Sequence, residues 1–229
     1  MVLRNVSVEA REMKIVPENM HSEAITSSDR HPLLVGLSLI PADLRNSLVQ
    51  IQQRLMKADS RHVYTHPATF HITVKPMGTF GDQVEPKNMT KIMEVTRSVT
   101  AQMEPFEVNL EGLSTFPNVI YVKVAEGKEE IVRLNETLAR NLKEMVTHGK
   151  YEGANMIPHV TLAHFVASDV DGLLAEVRSA SLLKIGRMNL DKITLVRVSL
   201  RKYFGLQRMR ARAFEKVGAF SLGSPRLSC

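Results

Sequence analysis

The chain has 229 residues, 44% hydrophobic and 24% charged, an ordinary globular balance that suits one large domain or two small lobes. Its one cysteine, Cys229, excludes an internal disulfide and a cysteine-built zinc cage and points to a reducing compartment. The formal charge of +6 is local: Lys192, Arg197, Arg201, Lys202, Arg208, Arg210 and Arg212 share a stretch without an acidic residue, and setting those seven aside leaves −1.

Residues 1 to 30 are expected to form an arm or linker: the opening MVLRNVSVEAREMK has acidic residues where a signal peptide needs an apolar run, and Ser27-Ser28-Asp29 precede Arg30 and His31-Pro32. LLVGLSLI at 33 to 40 reads as a buried strand. After Pro41, Leu44, Leu48, Ile51 and Leu55 form the stripe of an amphipathic helix. Residues 69 to 78 alternate as a strand, and Pro86 opens a second helix that runs to about Met103, with Ile92, Val95 and Val99 on one side.

The second half repeats the plan. Strands are predicted at 106 to 113 and 119 to 125 around the turn Phe116-Pro117-Asn118, followed by a helix with Ile131, Leu134, Leu138, Leu142 and Met145. A strand at MIPHVTLAHF, a fourth helix at 169 to 182 and two closing strands at 192 to 201 and 212 to 221 complete the list. The expected class is α+β, with a single domain over 31 to 223 and a tail at 224 to 229. No apolar run approaches the roughly 18 residues needed to cross a membrane, so a soluble, cytoplasmic monomer is expected. GxGxxG is absent, which removes support for a Rossmann cofactor.

The chemistry lies in two matched tetrapeptides, His71-Ile72-Thr73-Val74 and His159-Val160-Thr161-Leu162. Side chains at i and i+2 of a strand share a face about 6.5 Å apart, so each motif projects His and Thr together while its aliphatic residues enter the core. With eight histidines in the chain, roughly 0.2 such motifs arise by chance, so a pair after matching helices is informative. The plainer alternative is a pair of half-buried histidines satisfied by their threonines. Two imidazoles titrating near neutrality can serve as base and acid on opposite sides of a phosphate, with threonine hydroxyls on its non-bridging oxygens. That chemistry requires neither metal nor cofactor. His31, His62 and His66 have no carboxylate or cysteine at ligand spacing, so no metal site is expected.

In these motifs, and in IPADLRNSLVQIQQRL, FHITVKPMG, Phe116-Pro117, PHVTLAH and FEKVGAFSLG, the chain resembles the two-histidine phosphoesterases, and within them the RNA 2′,3′-cyclic phosphodiesterases also called 2′-5′ RNA ligases. The resemblance implies a bilobed, pseudo-symmetric fold in which two antiparallel sheets line a central groove with helices outside. It implies that His71 and His159 are the acid-base pair and that Thr73 and Thr161 bind phosphate. The implied reaction opens a 2′,3′-cyclic phosphate to a 2′-phosphate on an RNA or nucleotide partner, with reverse joining in some members.

The chain departs from the family at Lys75-Pro76-Met77-Gly78, where Phe-Leu-Gly often follows the lysine, and at His164, where arginine is common. Five residues past His159, His164 belongs to the opposite face of a regular strand and stays outside the catalytic set. Lys75, four past His71, keeps to the motif face and is a candidate phosphate contact, with a lysine snorkelling at a strand end as the alternative. Arg201, Tyr203, Arg208 and Arg210 are candidate contacts along an RNA strand. Activity on 2′-5′ oligoadenylate or small cyclic nucleotides, and a non-catalytic RNA-binding module, are the competing readings.

Overall fold

A computed structural model of the chain describes residues 32–149, 152–167, 169–202 and 209–223. The arm expected at 1 to 30 and the tail at 224 to 229 lie outside them. In chain order the elements are β1 (Leu33–Leu39), α1 (Ala42–Ala58), β2 (Val63–Thr65), β3 (His71–Thr79), α2 (Met89–Thr100), β4 (Phe106–Phe116), β5 (Val119–Glu126), α3 (Lys128–Leu142), β6 (His159–His164), α4 (Asp171–Ser179), β7 (Lys184–Leu190), β8 (Lys192–Lys202) and β9 (Met209–Ser221).

The strands follow the order β2-β9-β8-β1-β3-β6-β5-β4-β7. Apart from β2, they fall into two four-stranded antiparallel sheets, β9-β8-β1-β3 and β6-β5-β4-β7, which meet where Ile72 pairs with Val160. The two expected sheets are therefore halves of one continuous sheet, joined at a seam flanked by the two motifs. The short β2 pairs antiparallel with β6 and parallel with β9, which curls the strands around that seam.

Helical periodicity is realised where the apolar stripe predicts it: Leu44, Leu48, Ile51 and Leu55 are the buried side of α1, and Ile131, Leu134, Leu138 and Leu142 that of α3. α1 packs against α4 and α2 against α3, and one apolar cluster draws on both halves, from Leu34 and Ile72 to Val160 and Leu190. A smaller cluster of Leu37, Val196 and Val198, with Val35 and Phe214 against it, lies on the other side of β1. Two strands escape the sequence reading. β2 has only three residues, and β7 (KIGRMNL) is a polar edge strand with few buried positions. Met145, expected on the stripe of α3, lies instead in a short 3₁₀ turn, Lys143–Met145, entered through Lys143 at φ 45°. No helix among the described residues is long and apolar enough to cross a membrane.

Candidate active site

Both motifs alternate as their composition requires. Ile72, Val74, Val160 and Leu162 are fully buried, whereas His71, Thr73, His159 and Thr161 are half-buried on the other face. Ile72 pairs with Val160 where the motif strands meet, so His71 and Thr73 on one strand and His159 and Thr161 on the other flank that rung on the side away from the core. In a regular antiparallel ladder, residues set diagonally about such a rung stand about 7–8 Å apart at the backbone.

The rings are held alike. His71 Nδ1 lies 2.7 Å from the Thr69 carbonyl, and His159 Nδ1 lies 2.7 Å from the Ile157 carbonyl, in each case two residues upstream. A carbonyl oxygen only accepts, so Nδ1 carries a proton in both rings and Nε2 is the nitrogen that titrates. The 3₁₀ turn Pro67–Thr69 presents the first carbonyl, and Pro158 follows the residue that supplies the second. Burial pushes His159 below the ordinary histidine value, and its hydrogen bond to Ile157 opposes that only in part.

Aromatic rings brace both imidazoles. His71 meets Phe214 edge-on at 5.4 Å, and His159 meets Phe116 at 5.1 Å and Tyr121 at 5.2 Å, these last two being stacked at 4.2 Å. Tyr121 pairs with Thr161 and Lys123 with His159 across β5 and β6, so both stand on the motif face. The alternation of VIYVKV is the sequence signal for this placement. Lys123 Nζ donates to the Ser181 carbonyl at 2.9 Å. A cleft of about 490 Å³ opens beyond Phe116 and Pro117 toward Phe165, Val170 and Leu174.

Two expectations are corrected by β-bulges. In β3, Thr73 pairs with Leu37 and Lys75 with the next residue, Gly36, so Val74 is an extra residue and the strand changes phase. Lys75 accordingly leaves the motif face. Its side chain is fully buried, with Nζ 2.6 Å from Glu152 Oε1 and donating to the Thr147 carbonyl at 3.1 Å. Burial pushes the Lys75 ammonium below its ordinary value, against the pull of Glu152. Burial works the other way on Glu152, but Lys75, the Gly149 amide and His148 together hold its carboxyl below the usual range. In β6, Thr161 pairs with Tyr121 and Ala163 with the next residue, Ile120, so Leu162 is extra and His164 returns to the motif face. The opposite face expected for His164 holds only for a regular strand, and this strand is not regular.

Arg201 and Arg210 stand in β8 and β9, where Arg201 pairs with Ala211 and Lys202 with Arg210. Tyr203 and Arg208 lie outside the described residues. Of the other basic residues, Arg197 caps the Phe80 ring at 4.1 Å and reaches Glu215 at 3.4 Å, a structural use of its charge. Among the described residues no group of three or more His, Cys, Asp or Glu side chains is placed to share a metal ion.

Residues 71–201 match the family model of the 2′-5′ RNA ligase superfamily. The RNA 2′,3′-cyclic phosphodiesterase of Methanothermobacter thermautotrophicus (strain Delta H) is 30% identical over 159 residues, 69% of this chain and 84% of that protein. Among solved structures, TT0787 of Thermus thermophilus aligns with a TM-score of 0.62 at 20% identity, covering 83% of this chain and 98% of that one. E. coli LigT in complex with 3′-AMP aligns at 0.63 and 12% identity, covering 85% and 99%. The two structures show likeness of fold.

Proposed function

The chain belongs to the 2′-5′ RNA ligase superfamily, the two-histidine phosphoesterases, and on that premise we propose that it hydrolyses a 2′,3′-cyclic phosphate at an RNA end to a 2′-phosphate. The observation that carries this reading is the matched anchoring of two imidazoles: each Nδ1 is committed to a carbonyl two residues upstream, and both rings belong to one face at the seam. The name of the Methanothermobacter relative supports the choice of substrate.

In the proposed step, His159 Nε2 takes a proton from water as the water oxygen attacks phosphorus in line. The bond from phosphorus to the 3′ oxygen breaks, and His71, protonated at Nε2, delivers its proton to that oxygen. The 2′-phosphate remains. His159 takes the base role because burial favours its neutral form, and a base must start neutral. Thr73 and Thr161, each two residues past its motif histidine on the same face, donate to the non-bridging oxygens where charge grows. With a 5′ hydroxyl in place of water, the same pair joins two ends: the hydroxyl oxygen attacks phosphorus as His159 takes its proton, the bond to the 3′ oxygen breaks as His71 protonates it, and the 2′-5′ linkage that the superfamily name records remains.

The test is incubation with a short RNA ending in a 2′,3′-cyclic phosphate, in the presence of a chelator, followed by identification of the phosphorylated end. A 2′-phosphate product is expected. His71→Ala and His159→Ala should each lower turnover by at least about 10²-fold, the usual contribution of one general acid or base. A 3′-phosphate product, or full activity in either variant, refutes the scheme. Inactivity of the wild-type chain on this RNA, with cleavage of 2′-5′ oligoadenylate, would transfer the same chemistry to that substrate.

A further inference from the structure

The two bulges fall at the same place in the two motifs. The extra residue is the fourth motif residue each time, Val74 in β3 and Leu162 in β6. A bulged residue drops out of the strand ladder, and both of these are fully buried, so their carbonyls need partners from elsewhere. Each is met by a buried side-chain amide. Asn135 Nδ2 donates to the Val74 carbonyl at 2.7 Å, and Gln52 Nε2 donates to the Leu162 carbonyl at 2.9 Å.

These two bonds cross the molecule. Gln52 is on α1, the helix that precedes the first motif, yet it holds the second motif; Asn135 is on α3, which precedes the second motif, yet it holds the first. Neither amide is free to swing. Gln52 Nε2 also donates to the Thr65 carbonyl at 2.8 Å, and Asn135 Oδ1 accepts from the Gly153 amide at 2.9 Å. β3 and β6 themselves are joined by one pair, Ile72 with Val160, and a single rung leaves the angle between two strands loosely defined.

We infer that Gln52 and Asn135 are reciprocal positioning residues, each fixing the motif strand of the opposite half and together setting the spacing and angle of His71 and His159. The inference rests on the two-histidine reaction proposed above. In-line displacement needs both imidazoles aligned with one phosphorus, and misplacement of about 1 Å by a remote change can cost roughly 100-fold.

Gln52→Met and Asn135→Leu in the full chain remove the donors at similar volume. Where circular dichroism shows the fold retained, kcat on the cyclic-phosphate RNA should fall by about 10- to 100-fold while KM stays within about twofold. A second readout needs no turnover: NMR titration of the histidine rings. Gln52→Met should displace the His159 ring signals and titration midpoint more than those of His71, and Asn135→Leu should do the reverse. Should either variant fail to fold, Gln52→Asn and Asn135→Ser, whose donors are set back from the carbonyls, carry the same comparison. A lowered melting temperature with kcat, KM and both titrations unchanged overturns the inference, as does displacement of the histidine in the substituted half. If the wild-type chain leaves the cyclic phosphate intact, the reaction reading fails, and the crossed pattern of ring shifts still decides whether these amides position the motifs.

Discussion

His159 and Lys75 both lose charge preference to burial, but their roles divide because one is turned to the motif face and the other is locked in the core. A base works only when neutral, so the acid limb of kcat/KM should follow His159, with its midpoint below the ordinary value of 6.5. A pH profile of the wild-type chain checks this, and a midpoint at or above 6.5 counts against His159 as the base. For Lys75, the bond to Glu152 predicts a stability effect without a substrate effect. Glu152→Gln leaves a buried ammonium uncompensated and should cost about 3 kcal/mol or more in urea unfolding. Lys75→Met should leave KM for the RNA unchanged, and a several-fold rise would restore Lys75 as a phosphate contact.

At the scale of elements, bulges and bends decide which side chains reach the groove. β4 bends at Gly112, where φ is +75° and an added Cβ would collide with the Ser181 carbonyl oxygen, the same oxygen that accepts from Lys123 on the motif face. Gly112→Ala should therefore destabilise by about 2 kcal/mol or more, from left-handed backbone and steric conflict together. Gly81→Ala, at φ +93° with nothing near the added atom, isolates the backbone contribution, and equal losses of urea midpoint in the two variants would contradict this account. The helices were legible because their apolar residues recur at a fixed interval; Leu44, Leu48, Ile51 and Leu55 announce α1 with no tertiary information. The bulges were not. Val74 and Leu162 are ordinary strand residues, and nothing local distinguishes them from neighbours that pair.

For the molecule as a whole, the two lobes are not successive pieces of chain. β8 and β9, the last strands, complete the sheet of β1 and β3, while the intervening strands β4 to β7 build the other half. With one apolar cluster drawing on both halves, a chain ending at residue 104 should show no cooperative thermal unfolding, because it lacks β8, β9 and the face that buries its helices. Sharp two-state melting of that fragment would contradict a shared core. Short-range pattern was enough to reveal the pair of His-x-Thr motifs, their alternation into core and groove and the helical stripes, all of which depend on periods of two to four residues, while the family resemblance rested on the residues of the motifs themselves. It took the folded chain to turn Lys75 inward and His164 outward, and to let the helix of each half hold the motif of the other. Those outcomes depend on strand register and on hydrogen bonds between residues 61 and 110 positions apart, separations that no local period encodes.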